Sequence, residues 1–163
     1  EAYFKVAKNT EHPFVVTAGE LEVLVTGTTF GVRAYKDEKD IQTTLESGQV
    51  TVKVEGKSVK LVPNKQVLFN KSTMGLEVRD VDVDLYLAWA DGRLVYDNCP
   101  LEKILTDLGR WYNIDVFYSR DELRSYQFSL NMKKHEEFTQ VLELIGKTGE
   151  VQFEIKDNTV IVK

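Results

Sequence analysis

Few side chains in this chain of 163 residues have a type and spacing that could do covalent chemistry. The two histidines, His12 and His135, are far apart, and each sits beside a glutamate in a polar stretch. No zinc-ligand spacing, G-x-S-x-G elbow, phosphate-binding loop or G-x-G-x-x-G turn is present. The single cysteine, Cys99, excludes an internal disulfide and leaves the redox compartment open. It precedes Pro100, and proline favours the first position of a helix, which puts Cys99 at the helix cap. Serine or threonine would accept a backbone hydrogen bond better there. With no histidine nearby in sequence, the thiol reads as structural rather than reactive.

Carboxylates are plentiful but scattered. Asp80, Asp82 and Asp84 alternate with Val81, Val83 and Leu85, as the opening of a calcium loop does. Such a loop also needs glycine at its sixth position and glutamate at its twelfth, where this chain has Leu85 and Asp91. The run therefore reads as an extended strand with one wet acidic face. The charged stretch Lys36 to Asp40 reads as a solvated hairpin tip. Spread carboxylates do not nominate a glycosidase pair. No catalytic, metal-binding or cofactor-binding residue is assigned, and the chain reads as a non-enzyme.

Trp89, Trp111 and Tyr112 have rings that stack on sugars, which makes a periplasmic glycan-binding module the alternative function; a hydrolase stands behind it. The plainer reading places Trp111 and Tyr112 over a core, because they end a helix, and gives Trp89 the task of packing two halves together.

The elements that must position these side chains announce themselves through an internal repeat. Leu101, Ile104, Leu105, Leu108, Gly109, Ile114, Val116 and Tyr118 are matched, each 37 positions later, by Phe138, Val141, Leu142, Ile145, Gly146, Val151, Phe153 and Ile155. The first four positions of each copy fall on one stripe of a 3.6-period helix, and the last three alternate as in a half-buried strand. Glycine within a helix costs about 1 kcal/mol relative to alanine, so its recurrence points to close helix-to-sheet approach or an early helix end. Each copy thus reads helix, tight turn, strand. Extended runs at Arg93 to Tyr96 and Tyr126 to Met132, and a last one at Val160 to Val162 after an Asp157-Asn158 turn, complete the order β-α-β-β-α-β-β. That is two split βαβ units with helices on one face of a sheet. Burying Leu105 or Leu142 should contribute about 1.5 to 3 kcal/mol each.

Residues 1 to 84 have almost no helical periodicity. Short β-branched runs occupy Phe14 to Thr17, Leu21 to Val25, Thr28 to Tyr35, Ile41 to Leu45, Val50 to Val54, Val59 to Val62 and Gln66 to Phe69, broken by glycine, charge or Pro63-Asn64. Turns at that spacing predict an all-β half, a sandwich or solenoid-like scaffold. The change of texture near residue 85 divides the chain into residues 1–84 and 85–163.

The chain carries 21 basic and 26 acidic residues, a net charge of −5. Mild acidity spread over both parts excludes a clustered basic face for nucleic acid or anionic membrane. The longest uninterrupted apolar run, Leu85 to Ala90, is too short to span a bilayer. The chain opens on Glu1 with strand-like alternation, as an excerpt of a longer protein would, so the lack of a signal sequence carries no information.

Several blocks resemble the FecR family of anti-sigma regulators. They are Glu1-Ala2-Tyr3-Phe4-Lys5-Val6-Ala7, His12-Pro13-Phe14-Val15-Val16, the run Val23 to Val32, Leu45-Glu46-Ser47-Gly48-Gln49-Val50 and Pro63-Asn64-Lys65-Gln66. Asn98-Cys99-Pro100-Leu101-Glu102-Lys103-Ile104-Leu105 with Arg110-Trp111-Tyr112-Asn113 is similar to the C-terminal domain of the Bacteroidetes-type members. The blocks keep the family's order nearly end to end. Departures are Gly31 in place of the usual asparagine, Asn64 in place of glycine, and Cys99 in place of threonine or serine. The first two swaps each keep a residue tolerant of left-handed backbone, and the third costs helix stability.

The resemblance implies a periplasmic sensor region: a truncated FecR β domain at 1–84, then at 85–163 a signalling domain similar to the secretin and TonB short N-terminal fold. It implies that a TonB-dependent outer-membrane transporter delivers a signal through its own signalling domain; the free sheet edges of the β-α-β-β-α-β-β module make residues 93 to 163 the expected receiving surface, by sheet edge or exposed helix face. It also implies that the signal reaches an extracytoplasmic-function sigma factor through a cytoplasmic segment. That segment, a membrane helix and the opening strands of the β domain precede the Glu1 block in family members. The full-length protein would be anchored in the inner membrane, with no membrane or nucleic-acid contact by residues 1–163. The resemblance names no partner-binding residue.

Overall fold

The structure is a computed structural model that describes residues 1–133 and 138–163. His135 lies outside the described residues. The chain divides into two compact units, Glu1–Asp91 and Gly92–Lys163.

The first unit is built from antiparallel strands: β1 (Ala2–Lys5), β2 (Phe14–Ala18), β3 (Leu21–Val25), β4 (Thr29–Arg33), β5 (Asp40–Ser47), β6 (Val50–Val54), β7 (Lys57–Leu61), β8 (Lys65–Asn70) and β9 (Gly75–Asp80). They form a five-stranded sheet, β1-β4-β5-β8-β9, and a four-stranded sheet, β2-β3-β6-β7. Alternate residues of both sheets, among them Leu21, Val23, Phe30, Leu45, Val52, Leu61, Val67 and Phe69, close one core. Of the two scaffolds the sequence allowed, this is the sandwich.

The other face of the five-stranded sheet is covered by α1 (Asp84–Leu87) and the 3-10 turn Ala88–Asp91. The acidic alternation Asp80 to Asp84 is therefore not one continuous strand. The strand stops at Asp80, and the Asp82 carboxylate accepts the amide of Asp84 at 3.1 Å, a local turn that competes with extension. Backbone bonds from Leu85 and Tyr86 to the carbonyls of Asp82 and Val83 then start the helix. Leu87 lands on Gly31, where a Cβ would stand 2.3 Å from its Cδ2. Gly31 does not take a left-handed backbone, so its glycine is required by space and not by φ as the sequence reading held; Asn64, at φ 65°, does carry the left-handed turn.

Beneath this cover a polar chain is fully satisfied. Gln66 donates to Thr44 Oγ1 at 2.7 Å and accepts from Arg79 Nε at 2.9 Å, while Arg79 also donates to the Tyr86 hydroxyl at 3.0 Å. Trp89 belongs to the same unit: its indole N–H donates to the Tyr86 carbonyl at 2.9 Å, and its ring lines a small cavity with Gly31, Val32 and Leu87. The hairpin tip after β4 is more than a solvated loop. Buried Arg33 grips Glu38 and Glu1, and the Lys71 ammonium donates to the carbonyls of Tyr35 and Glu38, each at 2.6 Å.

The second unit follows the order expected from the repeat: β10 (Arg93–Pro100), α2 (Leu101–Tyr112), β11 (Asp115–Tyr118), a 3-10 turn at Asp121–Ser125, β12 (Gln127–Lys133), α3 (Thr139–Gly146), β13 (Phe153–Lys156) and β14 (Thr159–Val162). The strands form two ladders. β10 pairs antiparallel with β12, and β14 lies between β11, its parallel neighbour, and β13, its antiparallel one. Pairing with β12 carries β10 through Cys99, opposite Phe128, to Pro100, opposite Gln127. Cys99 is thus a strand residue one place before the cap. Pro100 is the cap itself, and the helix starts at Leu101.

The apolar stripes of both helices converge on one core containing Leu101, Ile104, Leu105, Leu108, Val141, Leu142 and Ile145, closed by Leu94, Leu123, Val160 and Val162. Trp111, Tyr112 and Phe138 pack against it, with the Tyr112 and Phe138 rings 6.0 Å apart. Among the described residues no helix is long and apolar enough to cross a membrane.

Leu105 has no solvent exposure. Truncating such a leucine costs about 2–5 kcal/mol, and an unpaired carboxylate in its place costs more, against a domain stability of about 5–15 kcal/mol. Leu105→Asp is expected to abolish the dispersed amide spectrum of residues 92–163. A spectrum and thermal transition unchanged from the parent would show that this helix face is not the buried one.

Candidate docking surface

In each repeat copy the helix carries a glycine that faces the chain just before the next strand. A Cβ on Gly109 would stand 3.0 Å from the Ile114 carbonyl oxygen; on Gly146 it would stand 3.8 Å from that of Val151, the residue 37 places after Ile114. The two copies turn differently after this contact. α2 continues to Tyr112, and Asn113 closes it with a left-handed backbone at φ 54°. α3 ends at Gly146, four residues shorter, and its turn is completed at Gly149, φ 80°.

What lies over each wedge also differs. Beyond β11 the chain folds back as the turn Asp121–Ser125, which buries Leu123 completely in the core. Arg124 sits over the Tyr118 ring at 4.2 Å and bonds Glu102 of α2 at 2.9 Å. Burial pushes the Tyr118 phenol up to about 12; the Arg124 cation opposes the rise and Glu102 adds to it. Beyond β13 the Asp157-Asn158 turn leads straight into β14. The space between α3 and β13 is an open groove of about 460 Å³, lined by Thr139, Leu142, Glu143 and Gly146 on one side and by Val151, Gln152, Phe153 and Ile155 on the other.

β13 has one paired side. Gln152 and Lys163 exchange both backbone bonds, at 3.0 and 2.9 Å. Antiparallel pairing alternates, so Glu154 and Lys156 direct their backbone groups toward β14, while Phe153 and Ile155 direct theirs away from it. The outer edge thus offers N–H and C=O groups of Phe153 and Ile155 to a further strand. Phe153 and Ile155 share the groove face, and Ile155 is 43% exposed. On the opposite face Glu154 is clamped by Lys156, at 2.8 Å, and by Lys163. Leu144 on α3 and Phe117 on β11 add further exposed apolar surface.

The side chains singled out for chemistry do not assemble. His12 is exposed, its backbone N–H bonded to the Asn9 side chain. Among the described residues no three His, Cys, Asp or Glu side chains converge as metal ligands do. Trp111 and Tyr112 are half-buried against the core of the second unit, and Trp89 is half-buried within the first. The groove was missed in the sequence because it is made by what fails to follow Ile155. Comparing the segment after Tyr118, which holds Leu123 and Arg124, with the two-residue turn after Lys156 would have found it.

Two family matches together span most of the chain: FecR protein over residues 1–60, and FecR, C-terminal over residues 93–162. No curated protein matches it. Two crystal structures of a proposed anti-sigma factor from Parabacteroides distasonis ATCC 8503 share its fold. One has a TM-score of 0.82 at 21% identity, covering 99% of this chain and 76% of that one. The other has a TM-score of 0.81 at 21% identity, covering 98% and 75%.

The hydrogen bond and charge of Lys156, then those of Lys163, hold the Glu154 carboxyl down to about 2 from an ordinary 4.5. A carboxylate with a depressed folded value stabilises the fold above its unfolded value, and that contribution is lost as pH falls from about 4.5 toward 2. The Glu154 side-chain carbon is expected to titrate in NMR with a midpoint of about 2. In a Lys156→Ala, Lys163→Ala double variant it should return to the ordinary range, and an ordinary midpoint in the parent would remove the clamp.

Proposed function

The chain belongs to the FecR family of anti-sigma factors, and from that membership we propose that it is the periplasmic sensor part of a membrane-anchored regulator. Its partner in the periplasm is the signalling domain of a TonB-dependent outer-membrane transporter. The output, through a cytoplasmic segment outside these residues, is control of an extracytoplasmic-function sigma factor. The β sandwich acts as a scaffold and the α+β unit as the receiving domain, a regulator rather than an enzyme.

One observation carries the assignment of the receiving surface. The unit matched by the C-terminal family region leaves a strand edge and an adjoining groove with apolar residues on both walls unpartnered among the described residues. Edge strands are exposed hydrogen-bonding templates, and β-strand addition is a recurring way for one domain to capture another. The chemistry agrees: signal transfer by binding needs a complementary surface and no reacting group. Binding alters the sigma factor only by favouring one conformation of the full-length regulator over another.

Titrating the purified signalling domain of the transporter encoded beside this chain into residues 1–163 is expected to give saturable one-to-one heat. Absence of heat and of any shift on a sizing column, at high micromolar concentration, would count against this reading and favour the glycan-binding alternative.

A further inference from the structure

The repeat indicates what the groove between α3 and β13 is shaped to receive. In the first copy the corresponding wedge is filled from within the chain. Arg124 bridges Glu102 and Tyr118, and the residues 37 places after these, Thr139 and Ile155, both line the groove of the second copy. Leu123, beside Arg124, supplies the buried aliphatic group. The first wedge is thus closed by an aliphatic side chain together with a cation held by a glutamate on the helix wall. The second wedge has walls at corresponding positions, with Leu142, Phe153 and Ile155 as its apolar surface. Thr139 stands at the Glu102 position, but one turn further along the helix Glu143 offers a carboxylate: it is exposed on the wall and forms no ion pair among the described residues. The filler alone is missing, because Asp157 and Asn158 turn the chain directly into β14.

We propose that this groove seats an extended segment of the transporter's signalling domain that presents an aliphatic side chain and, on the same face, an arginine or lysine. This rests on the partner proposed above. The aliphatic group takes the place that Leu123 has in the first copy, packing on Leu142, Phe153 and Ile155. The cation pairs with Glu143, and the segment's backbone bonds the outward-facing groups of Phe153 and Ile155. A second copy of this chain is a poorer occupant. The groove face of its own β13 edge carries Val151, Phe153 and Ile155, while Glu154 and Lys156 point to the other face, so it brings no cation to Glu143.

The test is calorimetry of that transporter domain against the whole chain and three variants. Ile155→Pro removes an outward-facing N–H and leaves the β13–β14 bonds in place, a substitution edge strands tolerate. Glu143→Lys reverses the wall charge at an exposed position. Glu122→Lys, on the turn that fills the first wedge, is the control. Each groove variant is expected to weaken binding about tenfold or more, the control to leave it unchanged, and the amides of Phe153 and Ile155 to gain exchange protection in the parent complex. Binding of parent and groove variants with equal affinity would overturn the groove while leaving the partner assignment standing. No binding by the parent would overturn both. A dimer of the chain alone that Ile155→Pro disperses would give the groove to a second copy and overturn the proposal.

Discussion

Everything in the second unit depends on how closely a helix can lie against the strand that follows it. In the first copy glycine removes the side chain that would otherwise press on the Ile114 carbonyl, where a Cβ would stand at 3.0 Å; in the second the fit is looser, and a Cβ on Gly146 would stand at an ordinary 3.8 Å from the Val151 carbonyl. With the helix that close, the chain reverses in a few residues. Ile114, Val116 and Tyr118 face one helix, and Val151, Phe153 and Ile155 face the other. A helix and a strand leaving one tight corner also diverge, and the widening space between them must be filled or left open. The first copy fills its space with Leu123 and the second leaves its space as the groove. The asymmetry follows from similar corners with unequal continuations.

The last strand makes the two corners one structure. β14 pairs parallel with the strand of the first copy and antiparallel with the strand of the second, and Val160 and Val162 are fully buried beneath both helices. Its position at the centre of the three-stranded ladder places β11 and β13 at the edges. The ladder that orders the core therefore also creates the outer edge at Phe153 and Ile155. The Lys156 and Lys163 clamp on Glu154 ties β13 to β14 on the face away from the groove, holding that edge without occupying it.

The repeat made most of this unit legible from the sequence, because a periodic stripe followed by alternation has one economical packing. Most strand runs of the first unit were equally legible, each bounded by a residue that breaks a ladder, but β9 (Gly75–Asp80) was not among the runs read. The misreadings came where local polar chemistry outweighed periodicity. Asp82 caps a turn that pure alternation would have extended, and β10 holds Pro100 in a ladder although proline usually opens a helix. Gly31 was read through backbone freedom, and the reason for it lies in a distant contact with Leu87 that no local pattern encodes. Buried Arg33, with Glu1 and Glu38, was hidden for the same reason, since Glu1 is distant in sequence and Glu38 looked like part of a charged tip.

Magnitudes decide how a strand as short as β13 can hold a partner. Phe153 and Ile155 offer at most four backbone hydrogen bonds, each contributing about 0.5–1.5 kcal/mol net. Together they reach roughly the 4 kcal/mol of a millimolar complex, before the cost of association is met. Edge pairing alone therefore supplies register and direction but not useful affinity. A buried aliphatic group adds about 1.5–3 kcal/mol and a charge-assisted pair about 1.5–3 more, roughly doubling what the edge supplies toward that cost. The groove and Glu143 are thus as necessary to a working receiver as the edge itself. That balance also suits a sensor, because a partner held by three modest terms can leave again when the signal ends.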